Sequence, residues 1–281
     1  MAFQPISRSV PAGRQAVGLD VRGVLAALRR THFSKVPEII VLFWVTKVLT
    51  TGMGEATSDY LVKSFPRVVA VAIGFIAFAA AMIWQFWVRR YVVWVYWLAV
   101  AMVAVFGTMA ADALHIGLGI PYAVSSAFYA VVLAAIFVTW YRTERTLSIH
   151  SINTPRRELF YWATVLATFA LGTAVGDMTA ATFHLGYLDS GLLFTGLIAL
   201  PALAYLFLGM NPIFTFWFAY VLTRPLGASF ADWLDKARYL SGLALGDGVV
   251  AVASALVIVG FVAYLAITHS PIEEDDALRL Q

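Results

Sequence analysis

Eight long apolar segments follow one another along the chain, separated by short polar connections. They run over about 38–61, 68–88, 91–115, 121–141, 159–185, 188–209, 212–234 and 246–268. A helix needs about 20 apolar residues to cross the roughly 30 Å hydrocarbon core of a bilayer. Every segment meets that length, so the sequence predicts an all-α, polytopic membrane protein with eight transmembrane helices.

The composition excludes several classes of protein. Charged residues make up 12% of the chain, about half their share in soluble domains, which excludes a soluble enzyme, a coiled coil and a disordered chain. The chain has no cysteine, so disulfides and thiolate sites are excluded as well. No Walker loop, dinucleotide fingerprint, zinc-protease motif or nucleophile elbow occurs. We therefore predict no enzymatic activity and no nucleic-acid partner, and nothing in the sequence specifies an oligomeric state.

Two polar tails flank the apolar region. Residues 1–35 form a basic tail, in which residues 17–30 could form an amphipathic helix on the membrane surface or remain flexible. Residues 270–281 form a short acidic tail. With the N-terminus inside, 13 Lys and Arg residues lie on the inner side and 4 on the outer side. The positive-inside rule then predicts that both termini are cytoplasmic.

A motif, Trp-x9-Gly-x4-Asp, recurs on the odd-numbered segments. Chance predicts roughly 0.02 copies in a chain of this composition, so the pattern indicates internal repeats. The four copies are Trp44/Gly54/Asp59, Trp97/Gly107/Asp112, Trp162/Gly172/Asp177 and Trp217/Gly227/Asp232. We predict four two-helix repeats within a transmembrane domain at 36–269, over about 36–90, 91–142, 158–210 and 211–269. All motif helices then run in parallel around a centre, with the other helices outside and the aspartates toward the outer end.

The strings around the motif support a resemblance. TTGMGEATSDYL, VFGTMAADAL, ALGTAVGDMTA and YVLTRPLGASFADWL resemble an uncharacterised bacterial integral-membrane family built from four copies of such a repeat. The resemblance covers about residues 36–268. It implies a protein of the bacterial cytoplasmic (inner) membrane, and it implies no reaction or substrate.

Five acids lie well inside the apolar segments, where each ionised carboxylate costs about 2.5–3.5 kcal/mol at the bilayer centre. They must be paired, hydrated or near the interface. One interpretation is that the aspartates mark the watery outer ends of their helices; the other is a shared ion-binding site, to which threonines one turn earlier add oxygen ligands. The candidate ligands are Glu55, Asp59, Asp112, Asp177, Asp232, Thr51, Thr108 and Thr173.

Other motif residues have simpler expected roles. Lys47 and Arg224 are the expected charge partners of the acids. The motif glycines permit close helix packing or a break in the helix, and Pro225 predicts a kink. These helix-break or packing candidates are Gly54, Gly107, Gly172, Gly227 and Pro225. The repeated tryptophans are expected to be interfacial anchors or packing residues.

His115 and His184 share helix faces with Asp112 and Asp177 and are candidate metal ligands, although a lone histidine more often forms an interfacial hydrogen bond. Carboxylates and hydroxyls favour Mg²⁺, Mn²⁺ or similar ions, so a bound divalent metal ion is the one cofactor the sequence suggests.

These observations give one leading hypothesis and two alternatives. The leading hypothesis is a secondary transporter or exporter of a small cation, such as manganese, coupled to protons through the intramembrane carboxylates. The first alternative is a transporter of a small organic solute, with Arg224 facing a substrate anion rather than pairing with Asp232. The second is a non-transporting membrane scaffold or lipid-binding protein, with its acids held in ion pairs or facing outer water.

Overall fold

The computed structural model describes residues 35–268, which are helical and contain no strand. The predicted tails lie outside this range, except for Lys35. The eight long helices are α1 (Val41–Ser64), α2 (Arg67–Trp87), α3 (Val93–Asp112), α4 (Tyr122–Glu144), α5 (Pro155–Asp177), α6 (Gly186–Leu208), α7 (Pro212–Asp235) and α8 (Asp247–Thr268).

Two of the motif helices do not stop at their aspartate. A π-helical turn, Ala113–Gly117, follows α3, and another, Met178–Thr182, follows α5. The helices α1 and α7 instead continue as regular α-helix past the motif aspartate. The second and third repeats therefore differ from the first and fourth at this end.

The four motif helices form a closed ring. Each of α1, α3, α5 and α7 packs against the motif helices before and after it, and α7 packs back onto α1. The second helix of each repeat lies outside, mainly against the motif helix of the next repeat: α2 on α3, α4 on α5, α6 on α7 and α8 on α1. The predicted arrangement of motif helices inside and partner helices outside is thus observed.

The motif glycines set the distance between neighbours in the ring. A Cβ atom on each of them would collide with the residue that lies three positions before the glycine of the next repeat. The pairs are Gly54 with Ala104, Gly107 with Phe169, Gly172 with Arg224, and Gly227 with Thr51. Because the register is the same at all four interfaces, the repeats are related by a pseudo-fourfold rotation. Helix continuity through these glycines and through Pro225 shows that the glycines serve close packing, and the alternative of a helix break is wrong.

The motif tryptophans pack between repeats at the end of the ring opposite the motif aspartates. This end is called the tryptophan end. The aromatic residue that precedes each tryptophan contacts the tryptophan of the following repeat, with ring centroids 5.6–6.1 Å apart. The pairs are Phe43–Trp97, Tyr96–Trp162, Tyr161–Trp217 and Phe216–Trp44. This aromatic layer closes the ring with the same cyclic order as the glycines.

Six of the eight helices are long and apolar enough to cross a membrane, namely α2, α3, α4, α5, α6 and α8. Outer helices expose large apolar side chains, among them Trp87, Phe207 and Ile267, as expected of surfaces in contact with lipid. These features indicate a membrane protein. The prediction of eight apolar spans is too high by this measure, because α1 and α7 bring most of the buried charges into the ring.

Candidate functional site

The guanidinium of Arg224 lies at the centre of the ring and contacts all the other motif helices. Its Nη2 atom lies 2.5 Å from Glu55 Oε2 and 2.7 Å from Thr173 Oγ1, and it also contacts Thr108 Oγ1. Its Nη1 atom donates to the backbone carbonyl of Thr51. Arg224 is fully buried, so one side chain joins all four repeats at the middle of the helix ring.

Three acceptors at this centre compete for the Nη2 atom of Arg224. Nη2 carries two hydrogens, yet three oxygen atoms, from Glu55, Thr108 and Thr173, lie within its reach. Arg224 Nε has no hydrogen-bond partner in the described part of the chain. The guanidinium therefore has alternative hydrogen-bonding arrangements available, and small rotations would exchange them.

The charge partners differ from expectation in detail. The structure pairs Arg224 with Glu55, the extra acid of the first repeat, and not with Asp232, which lies eight residues later on the same helix. Lys47 contacts no carboxylate within residues 35–268: its Nζ atom lies 3.9 Å from the ring centroid of Phe169 and 4.4 Å from that of Tyr220. The prediction that Lys47 pairs with an acid is wrong, because it lies two turns from Glu55 on the same helix.

At the other end of the ring, here called the aspartate end, the first and fourth repeats are joined by an ion-pair cluster. Lys236 contacts Asp59 across the interface of α1 and α7 and lies 3.2 Å from Asp232 on its own helix. Burial lowers the pKa of Lys236, and the negative charges around it oppose that shift. Lys63 adds a bridge of 2.7 Å to Asp247 on α8. Two of the motif aspartates are therefore neutralised by neighbouring lysines.

The other two motif aspartates have no such partner. Asp112 and Asp177 are half-buried and form no ion pair within residues 35–268. Both lie within electrostatic range of Glu55, and Asp177 also lies within range of Asp112 and Asp232. The structure thus brings the acids of all four repeats within electrostatic range of one another, and the two acids without an ion-pair partner in the described residues lie on the side of the second and third repeats.

The histidines lie away from this cluster. His115 Nδ1 contacts the carbonyl of Ile120 at 2.6 Å, and its ring stacks on Tyr122. His184 is exposed and has a positive φ of 56°. Across the described range, no group of three or more acidic or histidine side chains is arranged to hold a metal ion. The hydroxyls of Thr51, Thr108 and Thr173 are in the ring core and bond to backbone carbonyls of their own helices.

Sequence reasoning missed two features of this site. It assigned no role to Lys236, although lysine occurs four residues after the aspartate in the first and fourth motifs only. It also left out the aromatic residue before each tryptophan. An aromatic-Trp pair occurs in all four copies, at residues 43–44, 96–97, 161–162 and 216–217, so an extended motif would have found it.

The repeats identify the family of the chain. Four segments, residues 42–91, 95–146, 160–210 and 215–270, match the family described as Repeat of Unknown Function (DUF347). The chain belongs to this family. Each matched DUF347 segment contains one motif helix and the outer helix that follows it. No curated protein and no solved structure matches the chain significantly, so its function must be argued from the site.

Proposed function

We propose that this DUF347 protein is a secondary transporter or exporter of a small cation, coupled to protons, in a bacterial inner membrane. In this proposal all eight long helices span the bilayer, both termini are cytoplasmic, and the aspartate end faces outward. The ring formed by α1, α3, α5 and α7 surrounds the transport path. The polar helices α1 and α7 can cross because neighbouring helices cover their charged faces.

One observation carries this proposal: acids from all four repeats share one electrostatic field around the buried Arg224–Glu55 pair. Ionisable groups inside a membrane bundle are costly, and they commonly belong to ion pathways or proton relays. The unpaired Asp112 and Asp177 would receive the cation. Glu55 would alternate between Arg224 and the transported ion, and the hydroxyls of the core threonines would supply further oxygen atoms.

The arrangement also bears on which ion is carried. No three-ligand metal group is assembled in the described residues, so Mn²⁺ or another divalent ion would require movement of the carboxylates toward each other. A monovalent cation requires fewer charged ligands and therefore less of this movement. A divalent metal such as manganese remains a candidate substrate that the flux assay must include.

The two alternatives make different use of Arg224. An organic-anion transporter needs a guanidinium that faces a substrate, whereas Arg224 is held by Glu55 and two threonines. A scaffold needs only stable packing, and the dense contacts at the ring centre are compatible with that role. The scaffold alternative is distinguished from transport by the measurement below.

The test is cation flux into proteoliposomes. Purified protein is reconstituted with an imposed pH gradient, and uptake of Mn²⁺, Mg²⁺, Na⁺ and K⁺ is followed with ion-specific probes. We expect flux of at least one of these ions, reduced at least about tenfold in Asp112→Asn and Asp177→Asn, because the neutral amides cannot compensate a cation. Arg238→Met, a change at an exposed residue beyond α7, is the matched control. Unchanged flux in both aspartate variants would remove the proposed site, and no flux of any ion in the wild-type protein would favour the scaffold alternative.

A further inference from the structure

Lys47 is a buried amine that the proposed cation path does not use. It is 1% exposed, and its Nζ atom has no hydrogen-bond partner within residues 35–268. Its Nζ atom lies over the faces of Phe169 and Tyr220. An ammonium in such a site is stabilised by cation–π attraction, which is much weaker than the cost of burying an isolated charge.

The same phenyl ring connects Lys47 to the central ion pair. The guanidinium carbon of Arg224 lies 5.3 Å from the ring centroid of Phe169, which Lys47 contacts at 3.9 Å. Two cations at one ring repel each other across a short distance in a medium of low dielectric constant. A proton on Lys47 therefore favours displacement of Arg224 toward Glu55, and loss of that proton relieves this repulsion.

Hydroxyl groups lie between Lys47 and the tryptophan end. The ring of Tyr220 covers Lys47, and its buried hydroxyl has no hydrogen-bond partner in the described residues, which leaves it free to rotate between neighbours. The wholly buried Tyr96 and Tyr161 lie one turn nearer that end, with their hydroxyl oxygens 2.5 Å apart. A hydroxyl can accept one proton and donate another, so these phenols could pass a proton without gaining a net charge. On the opposite side of Lys47 lies Arg224, which separates it from Glu55 and the aspartates.

We propose that Lys47 is the proton-binding group on the tryptophan side of the ring and that its charge controls the Arg224–Glu55 pair. A proton from water at the tryptophan end reaches the Nζ lone pair through the tyrosine hydroxyls, and it returns by the same route. Protonated Lys47 holds Arg224 on Glu55, which keeps the cation out. Neutral Lys47 lets Arg224 move and frees Glu55 for the cation. This inference rests on the proposed transport function, since it assigns the coupling step.

Two variants separate a proton carrier from a structural cation. Lys47→Arg keeps a permanent positive charge, because a guanidinium does not lose its proton in proteins, and Lys47→Met keeps the length and apolar character of the chain. In the proteoliposome assay, with a trapped pH-sensitive dye and the cation that the wild type carries, we expect both variants to lose cation-coupled proton movement at least about tenfold. Wild-type coupling in either variant would overturn the proposal. If Lys47→Arg does not fold, Lys47→Met alone decides this arm.

A second readout does not require transport. The chain has four lysines, so biosynthetic labelling of their ε-carbons gives a simple spectrum in lipid nanodiscs, and Lys47→Met assigns the signal. We expect the Lys47 signal to change its charge state when the pH is varied over a range in which the exposed lysines stay charged. A signal that keeps one charge state throughout would overturn the inference. Failure of the proposed function is distinguishable, because it appears as absent flux in the wild type whatever the Lys47 signal shows.

Discussion

The motif aspartate has different ion-pair partners and a different backbone around it in the two halves of the aspartate end. In the first and fourth repeats, Asp59 and Asp232 share Lys236, and α1 and α7 continue as regular helix. In the second and third repeats, Asp112 and Asp177 lack an ion pair in the described chain, and each helix ends in a π-helical turn.

The four motif aspartates occupy equivalent positions, but they fall into two pairs with different surroundings. The lysine-bound pair closes the ring where the last repeat meets the first, at the interface that no direct chain connection holds. The second pair combines carboxyl groups that have no ion-pair partner in the described chain with irregular backbone, and π-helical turns are frequent at functional sites. Under the proposed function, the first pair stabilises the ring and the second pair binds the ion.

We expect the strongest destabilisation when Arg224, the residue that joins the two halves, is replaced. Arg224→Met deletes the guanidinium and leaves the buried Glu55 carboxylate uncompensated, which is expected to lower the free energy of unfolding by about 3–5 kcal/mol. Thermal unfolding in detergent measures this. The double variant with Glu55→Gln should recover much of the loss, since no buried charge then remains. Equal stability of Arg224→Met and the wild type would show that the central ion pair does not hold the halves together.

A smaller effect is expected from crowding the seam between the fourth and first repeats. A Cβ on Gly227 would lie 2.6 Å from the backbone oxygen of Val48, which cannot move aside easily, so Gly227→Ala should destabilise by about 1–3 kcal/mol. Gly260→Ala on α8 is the matched control, because no atom lies within 4 Å of its added Cβ, and alanine favours a helix by about 1 kcal/mol over glycine. If both variants changed the stability in the same direction, this result would contradict the close packing of Gly227 against the first repeat.

The smallest expected changes in stability come from two variants, one that removes a paired lysine and one that removes an unpaired acid. Lys236→Met removes the cation that Asp59 and Asp232 share, leaves Asp59 only its 3.6 Å contact with Lys63, and should cost about 1–2 kcal/mol. Asp177→Asn removes an acid that has no ion-pair partner, so its stability should change by less than about 0.5 kcal/mol. Chemical unfolding of both variants in one lipid mixture checks the contrast. A destabilisation by Asp177→Asn as large as that by Lys236→Met would end the division into two tasks.

Much of the fold could be predicted from the sequence, and particular residues show where prediction stops. The motif spacing predicted motif helices around a centre, and hydropathy predicted helix bounds within a few residues, for example 68–88 for α2 at Arg67–Trp87. The same reasoning gave Lys47 a carboxylate partner it does not have, and it considered Asp232 as the partner of Arg224. Whether cations cross the ring stays a prediction.

Helix length, the fourfold repeat and the equivalent positions in the repeats followed from the sequence alone, because they are local or periodic, whereas the buried acids Glu158 and Asp235 did not. Hydrophobic patterning and fixed spacing act within one helix or one repeat, so they can be interpreted without coordinates. Only the tertiary structure decided which charge meets which, because Arg224 and Glu55 are 169 positions apart. Their meeting depends on the rotation and register of two helices, which the glycine contacts around the closed ring establish together.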